Sequence, residues 1–153
     1  MDEKGKRNKN ISYALLRGDS AAATGKKFRL SGYSCVEILR NYCWRLDPLL
    51  YKSLKPELRD MPLEVLRENK KIFLGLDSKK NTITENSKIW ELKELSNSTV
   101  EALLFCEIHT VDALCLLNEK NLLRIPMIGI KSFEILKKAL NKNGFKLQGN
   151  GVN

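Results

Sequence analysis

Residues Asn121 to Gly144 read NLLRIPMIGIKSFEILKKALNKNG, and this stretch decides the fold of the C-terminal half of the chain. Its pattern predicts a short helix over Leu122–Ile125, a tight turn through Pro126-Met127-Ile128-Gly129, and a longer helix from about Lys131 to Asn143. Pro126 ends the first helix, because it offers no N–H and restricts the residue before it. Gly129 has access to backbone angles closed to other residues and lets a partner approach the main chain. Beyond the turn, Ile130, Phe133, Ile135, Leu136 and Leu140 follow the three-to-four spacing of a helix with one buried face. Lys137, Lys138 and Lys142 gather toward its end, where cations suit the helix dipole, and Asn143-Gly144 is a C-terminal stop. The expected motif is a helix–hairpin–helix.

Such a hairpin points to chemistry through the helix start that it presents. The first N–H groups of a helix have no partner inside the helix and carry partial positive charge. A turn through Ile128-Gly129 leading into that end makes an anion seat, and Lys131 and Ser132 add a charge and a hydroxyl to it. A nucleic-acid phosphate is the expected occupant. The plainer alternative is a helix corner that only packs a core.

With 153 residues the chain holds one medium domain or two small ones, and 42% hydrophobic content is ordinary for a globular protein. The formal net charge of +9 favours a polyanionic partner. Residues 1–76 carry 16 Lys/Arg against 9 Asp/Glu, or +7, whereas residues 77–153 carry 11 against 9, or +2. The basic character therefore belongs to the N-terminal half, where Lys26, Lys27 and Arg29 are further candidate nucleic-acid contacts.

Cys35, Cys43, Cys106 and Cys115 form no CxxC pair, and His109 is the single histidine, which argues against structural zinc. Cys35, Cys106 and Cys115 lie among apolar helical positions and read as buried free thiols, consistent with a reducing cytoplasm. The N-terminal MDEKGKRNKN is not followed by an apolar signal core, and Glu107, His109 and Asp112 interrupt the most apolar window, Ala102–Leu117, so no membrane span is expected.

Taken in order, residues 1–10 read as a basic polar tail, either solvated or an arm on nucleic acid. Ile11–Leu16 suits a short helix, and Gly18–Gly25 (GDSAAATG) reads as a loop. Gly25-Lys26-Lys27 lacks the spacing of a Walker loop, and Arg17-Gly18-Asp19 is a chance tripeptide. Ser34 with Glu37 suggests a capping box, followed by an apolar stripe of Cys35, Ile38, Leu39, Tyr42 and Leu46. Arg40, Arg45 and Lys52 fall off that stripe, on a solvated face. Asp47-Pro48 and Met61-Pro62 each suggest a helix start, the latter running to about Lys71. Residues 11–76 thus read as a small basic helical domain. Residues 77–88 (DSKKNTITENSK) are polar and read as a linker. In residues 89–148, Ser96 or Ser98 caps a helix to about Phe105, His109-Thr110 starts one through Leu117, and Asn118 caps the one entering the hairpin. Residues 149–153 form a short tail. The fold class is therefore mainly α: a basic helical N-terminal domain linked to a helix–hairpin–helix bundle of four to five short helices.

Within that second domain, Leu95-Ser96, Leu103, Ile108-His109, Asp112-Ala113-Leu114, Leu122-Leu123, Pro126, Ile128-Gly129, Lys131-Ser132, Asn143-Gly144 and Leu147 fall in a distinctive order. Together they resemble the C-terminal domain of the bacterial RNA polymerase alpha subunit, over about a third of the chain. The resemblance implies a domain that grips A·T-rich DNA across the minor groove and touches sigma factors and activators. It places the groove-facing set on the first helix and the hairpin, the latter represented by Gly129, Lys131 and Ser132. This chain departs from the family at Ser98, where an arginine is expected, at Glu101, where an asparagine is, and at Ile135, where an acidic residue is. His109 occupies a family histidine position and is read as structural.

The expected function is a transcription-related DNA-binding protein that needs no cofactor. Alternatives are a module binding RNA polymerase, a sigma factor or another regulator with DNA binding reduced, and an accessory of a nucleic-acid enzyme. No Ser/His/Asp set, clustered carboxylates or phosphate loop supports catalysis.

Overall fold

The computed structural model of the chain describes residues 2–78 and 82–149. The fold is mainly α, with ten helices among the described residues. It divides into two compact units, Met1–Lys79 and Lys80–Asn153. No helix among the described residues is long and apolar enough to cross a membrane.

The first unit opens with α1 (Glu3–Arg17), which absorbs most of the expected basic tail. Asp2 caps it by accepting the Gly5 N–H at 2.6 Å, and Ile11, Ala14 and Leu15 form its buried stripe. The polar first turns lack an apolar stripe of their own, so the periodicity that marks helices elsewhere was missing there. Farther along the helix, the Lys9 ammonium lies 3.3 Å from the Asp77 carboxylate. Gly18 ends the helix in left-handed geometry (φ 111°). From a distant point in sequence, Arg67 donates to the Leu15 carbonyl at 2.7 Å and the Asp19 carbonyl at 2.6 Å, covering that end.

The stretch expected as a loop is instead α2 (Ala21–Phe28), because Ser20 accepts the Ala23 N–H at 3.1 Å and three alanines follow the cap. Ser31, not Ser34, caps α3 (Gly32–Leu46); the Ser34 N–H is the group being capped, at 3.0 Å. Cys35, Leu39 and Cys43 of α3 join Ile11, Leu15, Leu66 and Phe73 in the core. Asp47 caps α4 (Pro48–Leu54) as expected, accepting the Leu50 N–H at 3.0 Å.

The single helix expected from Met61 to Lys71 is broken at Asn69 into α5 (Leu63–Glu68) and α6 (Lys70–Ser78), so residues 72–76 are helical. Met61 is a core residue, not a cap. Arg40 is not solvated: it donates to the Met61 carbonyl at 2.8 Å and pairs with Glu37. The proposed linker shrinks at both ends. Asp77 and Ser78 complete α6, while the Glu85 and Ser87 carbonyls accept the Asp112 and Val111 N–H groups, both at 2.9 Å. Lys79 to Asn81, the middle of that linker, lie outside the described residues, as do residues 150–153 of the C-terminal tail.

The second unit begins with a single 3-10 turn, Ile89–Glu91, fixed by the Ile89 N–H donating to the His109 carbonyl at 2.9 Å. Ser96 caps α7 (Asn97–Phe105), Thr110 caps α8 (Val111–Cys115) and Asn118 caps α9 (Glu119–Leu123). The last helix, α10 (Ile130–Lys142), buries Phe133, Leu136, Ala139 and Leu140. Ile130 and Ile135, expected on that stripe, are exposed: at 100° per residue they turn away from the buried face. Gly144 takes left-handed angles (φ 85°) and the Phe145 N–H reaches the Leu140 carbonyl at 2.9 Å, closing α10 in a Schellman turn.

Candidate nucleic-acid interface

The hairpin runs from α9 through residues 124–129 into α10. Its turn is closed by the Ile128 N–H donating to the Ile125 carbonyl at 3.1 Å. Pro126 sits second in that turn and Met127 third, at φ 73°, which is the pattern of a type II turn. The residue in the left-handed region is thus Met127. Gly129 has φ −97° and ψ −175°, extended angles open to any side chain. What distinguishes Gly129 is space, because a Cβ added there would meet nothing within 4 Å.

Gly129 is the N-cap of α10 and, having no side chain, leaves the helix without a side-chain cap. The Gly129 carbonyl accepts the Phe133 N–H at 2.9 Å, so the first N–H groups of the helix remain directed out of its start. Lys131 is exposed and Ser132 half-buried beside them. Other helix starts in this unit are closed by a side chain: Ser96 on the Thr99 N–H at 3.2 Å, Thr110 on Ala113 at 3.1 Å, Asn118 on Asn121 at 2.9 Å. Among the described residues, the start of α10 therefore combines donors, dipole and a lysine with no side chain capping them. A helix start of this kind is chemically suited to an anion.

The hairpin brings together Gly129, Lys131 and Ser132 of the expected site. Ile128 contributes only main chain, because its side chain is 4% exposed and belongs to the core. Lys137 stands apart: six residues beyond Lys131, it is displaced by about 9 Å along the axis and turned by roughly 240°. It borders a cleft of about 300 Å³ with Glu119, Asn141 and Lys146. Ser98 is exposed in the first turn of α7, with its hydroxyl 3.0 Å from that of Ser96. His109 is half-buried, and its carbonyl holds the 3-10 turn, a role independent of imidazole chemistry.

Lys26, Lys27 and Arg29 belong to the other unit, at the end of α2, and all three are exposed. The Lys27 ammonium lies 5.6 Å from the centre of the Phe28 ring. Flanking the hairpin seat are exposed apolar side chains that the periodicity assigned to the core or to the turn: Met127 at 68% and Ile130 at 73% exposure. Among the described residues no group of three His, Cys, Asp or Glu side chains is placed to hold a metal ion. No protein-family model matches the chain, and no curated protein matches it.

Proposed function

We propose that the chain is a transcription-related DNA-binding protein whose hairpin seats a backbone phosphate at the start of α10. The observation that carries this reading is the uncapped helix start at Gly129, open above its Cα and flanked by exposed Lys131. A phosphate there accepts from the free N–H groups and meets positive charge from both lysine and dipole. The basic N-terminal unit supplies general affinity for the polyanion, since most of the net charge lies there. The resemblance of Leu95–Leu147 to the RNA polymerase alpha C-terminal domain supports a minor-groove approach to A·T-rich sequence. Four free cysteines suit a reducing cytoplasm.

A second reading is favoured by Met127 and Ile130, whose exposed apolar side chains border the same seat. In that reading the surface docks polymerase, a sigma factor or a regulator, and the departures at Ser98 and Glu101 mark reduced DNA binding. The two readings part in a salt-titrated anisotropy assay of the full chain on A·T-rich and G·C-rich duplexes. DNA binding predicts a steep loss of affinity with salt, and Lys131→Ala should weaken binding on both duplexes while lowering the salt slope by about one. No binding to either duplex at low salt would refute the DNA reading.

A further inference from the structure

A second surface with the form of a nucleic-acid reader lies in the N-terminal unit, on elements distinct from the hairpin. Three residues, Arg29 to Ser31, carry the chain from α2 into the fifteen-residue α3. The turn is tied at both ends. Arg29 takes left-handed angles (φ 58°, ψ 43°), and the Leu30 N–H donates back to the Gly25 carbonyl at 2.9 Å, completing a Schellman turn. Ser31 then opens α3 through the Ser34 N–H. Gly25 admits the returning chain, since a Cβ there would lie 2.4 Å from the Leu30 oxygen. On the inner side, α3 packs against both α1 and α2.

Two helices joined by a three-residue turn, with a third helix packed behind the second, form a recurrent DNA-reading arrangement. The first helix crosses the phosphate backbone, and the N-terminal residues of the second meet base edges in the major groove. We propose that α2, the Arg29–Ser31 turn and α3 form a helix–turn–helix that presents the first turn of α3 to the major groove of B-form DNA. Lys26, Lys27 and Arg29 supply phosphate contacts beside it. Tyr33, on the first turn of α3, is 73% exposed, and its ring and hydroxyl are available to bases or phosphate. Arg40 is excluded as a reader because it is bound to the Met61 carbonyl and Glu37.

Asp60 and Glu64 line, together with Tyr33, a groove of about 600 Å³. Their carboxylates repel phosphate, which confines the duplex to the α2 side of the first turn of α3. A basic protein segment is the competing occupant of that groove, and the +7 charge of residues 1–76 selects against it. The inference shares its ligand with the proposed function but uses other residues and the other groove of DNA, so the two can fail separately.

The test is anisotropy of the full chain on a mixed-sequence 24-base-pair duplex. Binding is repeated on the same duplex carrying glucosylated hydroxymethylcytosine, which fills the major groove, and with a polyamide that fills the minor groove. Circular dichroism verifies the fold of each variant. Major-groove glucosylation and Tyr33→Ala should each weaken binding by about tenfold. Joint replacement of Lys26, Lys27 and Arg29 by alanine should lower affinity and flatten the salt slope. Asp60→Asn with Glu64→Gln should tighten binding. Affinity unchanged by glucosylation and by Tyr33→Ala, yet abolished by the polyamide, overturns the helix–turn–helix and leaves the hairpin reading standing. Failure of the full chain to bind duplex at low salt overturns both.

Discussion

The Leu30 carbonyl oxygen lies so close to Gly25 that a Cβ built on the glycine would stand 2.4 Å from it, with the Gly32 nitrogen at 3.2 Å. Both obstacles are main-chain atoms, which cannot swing aside as a flexible side chain can. Gly25 sits inside α2 rather than at its end, so its usual helix penalty of up to about 1 kcal/mol is tolerated for the sake of the turn. Gly25→Ala therefore sets that propensity gain against an overpacking cost of about 1–3 kcal/mol. A net loss on the order of 1–2 kcal/mol is expected in urea unfolding of the full chain. A midpoint equal to or above that of the wild type would show that the turn does not need the glycine.

Acid should loosen the contact between α1 and α6. Burial pushes the Asp77 carboxyl up, but the Tyr13 hydroxyl and the Lys9 ammonium, both bonded to it, outweigh burial and hold it below the usual 3.8. A carboxyl whose folded pKa is depressed favours the fold when ionised. That contribution is complete above the unfolded value and is lost as pH falls through the folded one. The thermal midpoint should hold between about pH 7 and 5 and decline below about 4. Asp77→Asn should lower the midpoint at pH 6 and make its acid decline shallower, since the replacement has no proton to gain. An acid limb of the same steepness in both proteins would place the acid sensitivity elsewhere.

The four thiols separate by accessibility, and not as apolar periodicity suggested. Cys35 and Cys43 are buried, Cys115 is half-buried, and Cys106 is exposed although the sequence pattern placed it in the core. Burial pushes the Cys43 thiol up to about 12. Burial also raises Cys35, against a smaller opposing influence from the Arg7 cation. Since the thiolate is the nucleophile, iodoacetamide at pH 8 should modify Cys106 first, and Cys35 and Cys43 only on unfolding. Peptide mapping after a timed pulse reads the order. Early labelling of Cys43 would contradict the packing of α3 against α1.

Where a helix carried both a cap and an apolar stripe, its sequence was readable. Asp47-Pro48, Ser96, Thr110 and Asn118 each open a helix near the expected place, and Asn143-Gly144 closes the last. Failures arose where tertiary contacts override local pattern. The middle of α1 is tied to Asp77, far along the chain, through Lys9 and Tyr13, and α2 was hidden by a Gly25 that is present for close approach rather than for a loop. Arg40, expected on a solvated face, serves the Met61 carbonyl, and Arg67 serves the Leu15 carbonyl, distant partners that no local window reveals. At the hairpin, the residue types of the seat were legible, whereas the turn geometry was not: the left-handed position falls on Met127, where a glycine would ordinarily be expected.

Gly129 offers the sharpest separation of binding from folding. Its extended angles suit any residue, and the empty space above its Cα means that Gly129→Ala meets no protein atom. Replacing glycine reduces the freedom of the unfolded chain, while alanine is the poorer N-cap; the two effects oppose each other, so stability should stay within about 1 kcal/mol of the wild type. A phosphate bound against the first N–H groups of α10 would, by contrast, contact the added methyl. Affinity for an A·T-rich duplex should then fall several-fold while the melting temperature holds. Lys137→Ala supplies the control, because that side chain projects from another face of α10, and it should alter hairpin affinity far less than Lys131→Ala. Equal affinity of wild-type protein and Gly129→Ala, both binding DNA, would remove the phosphate from this helix start and return the hairpin to a packing role.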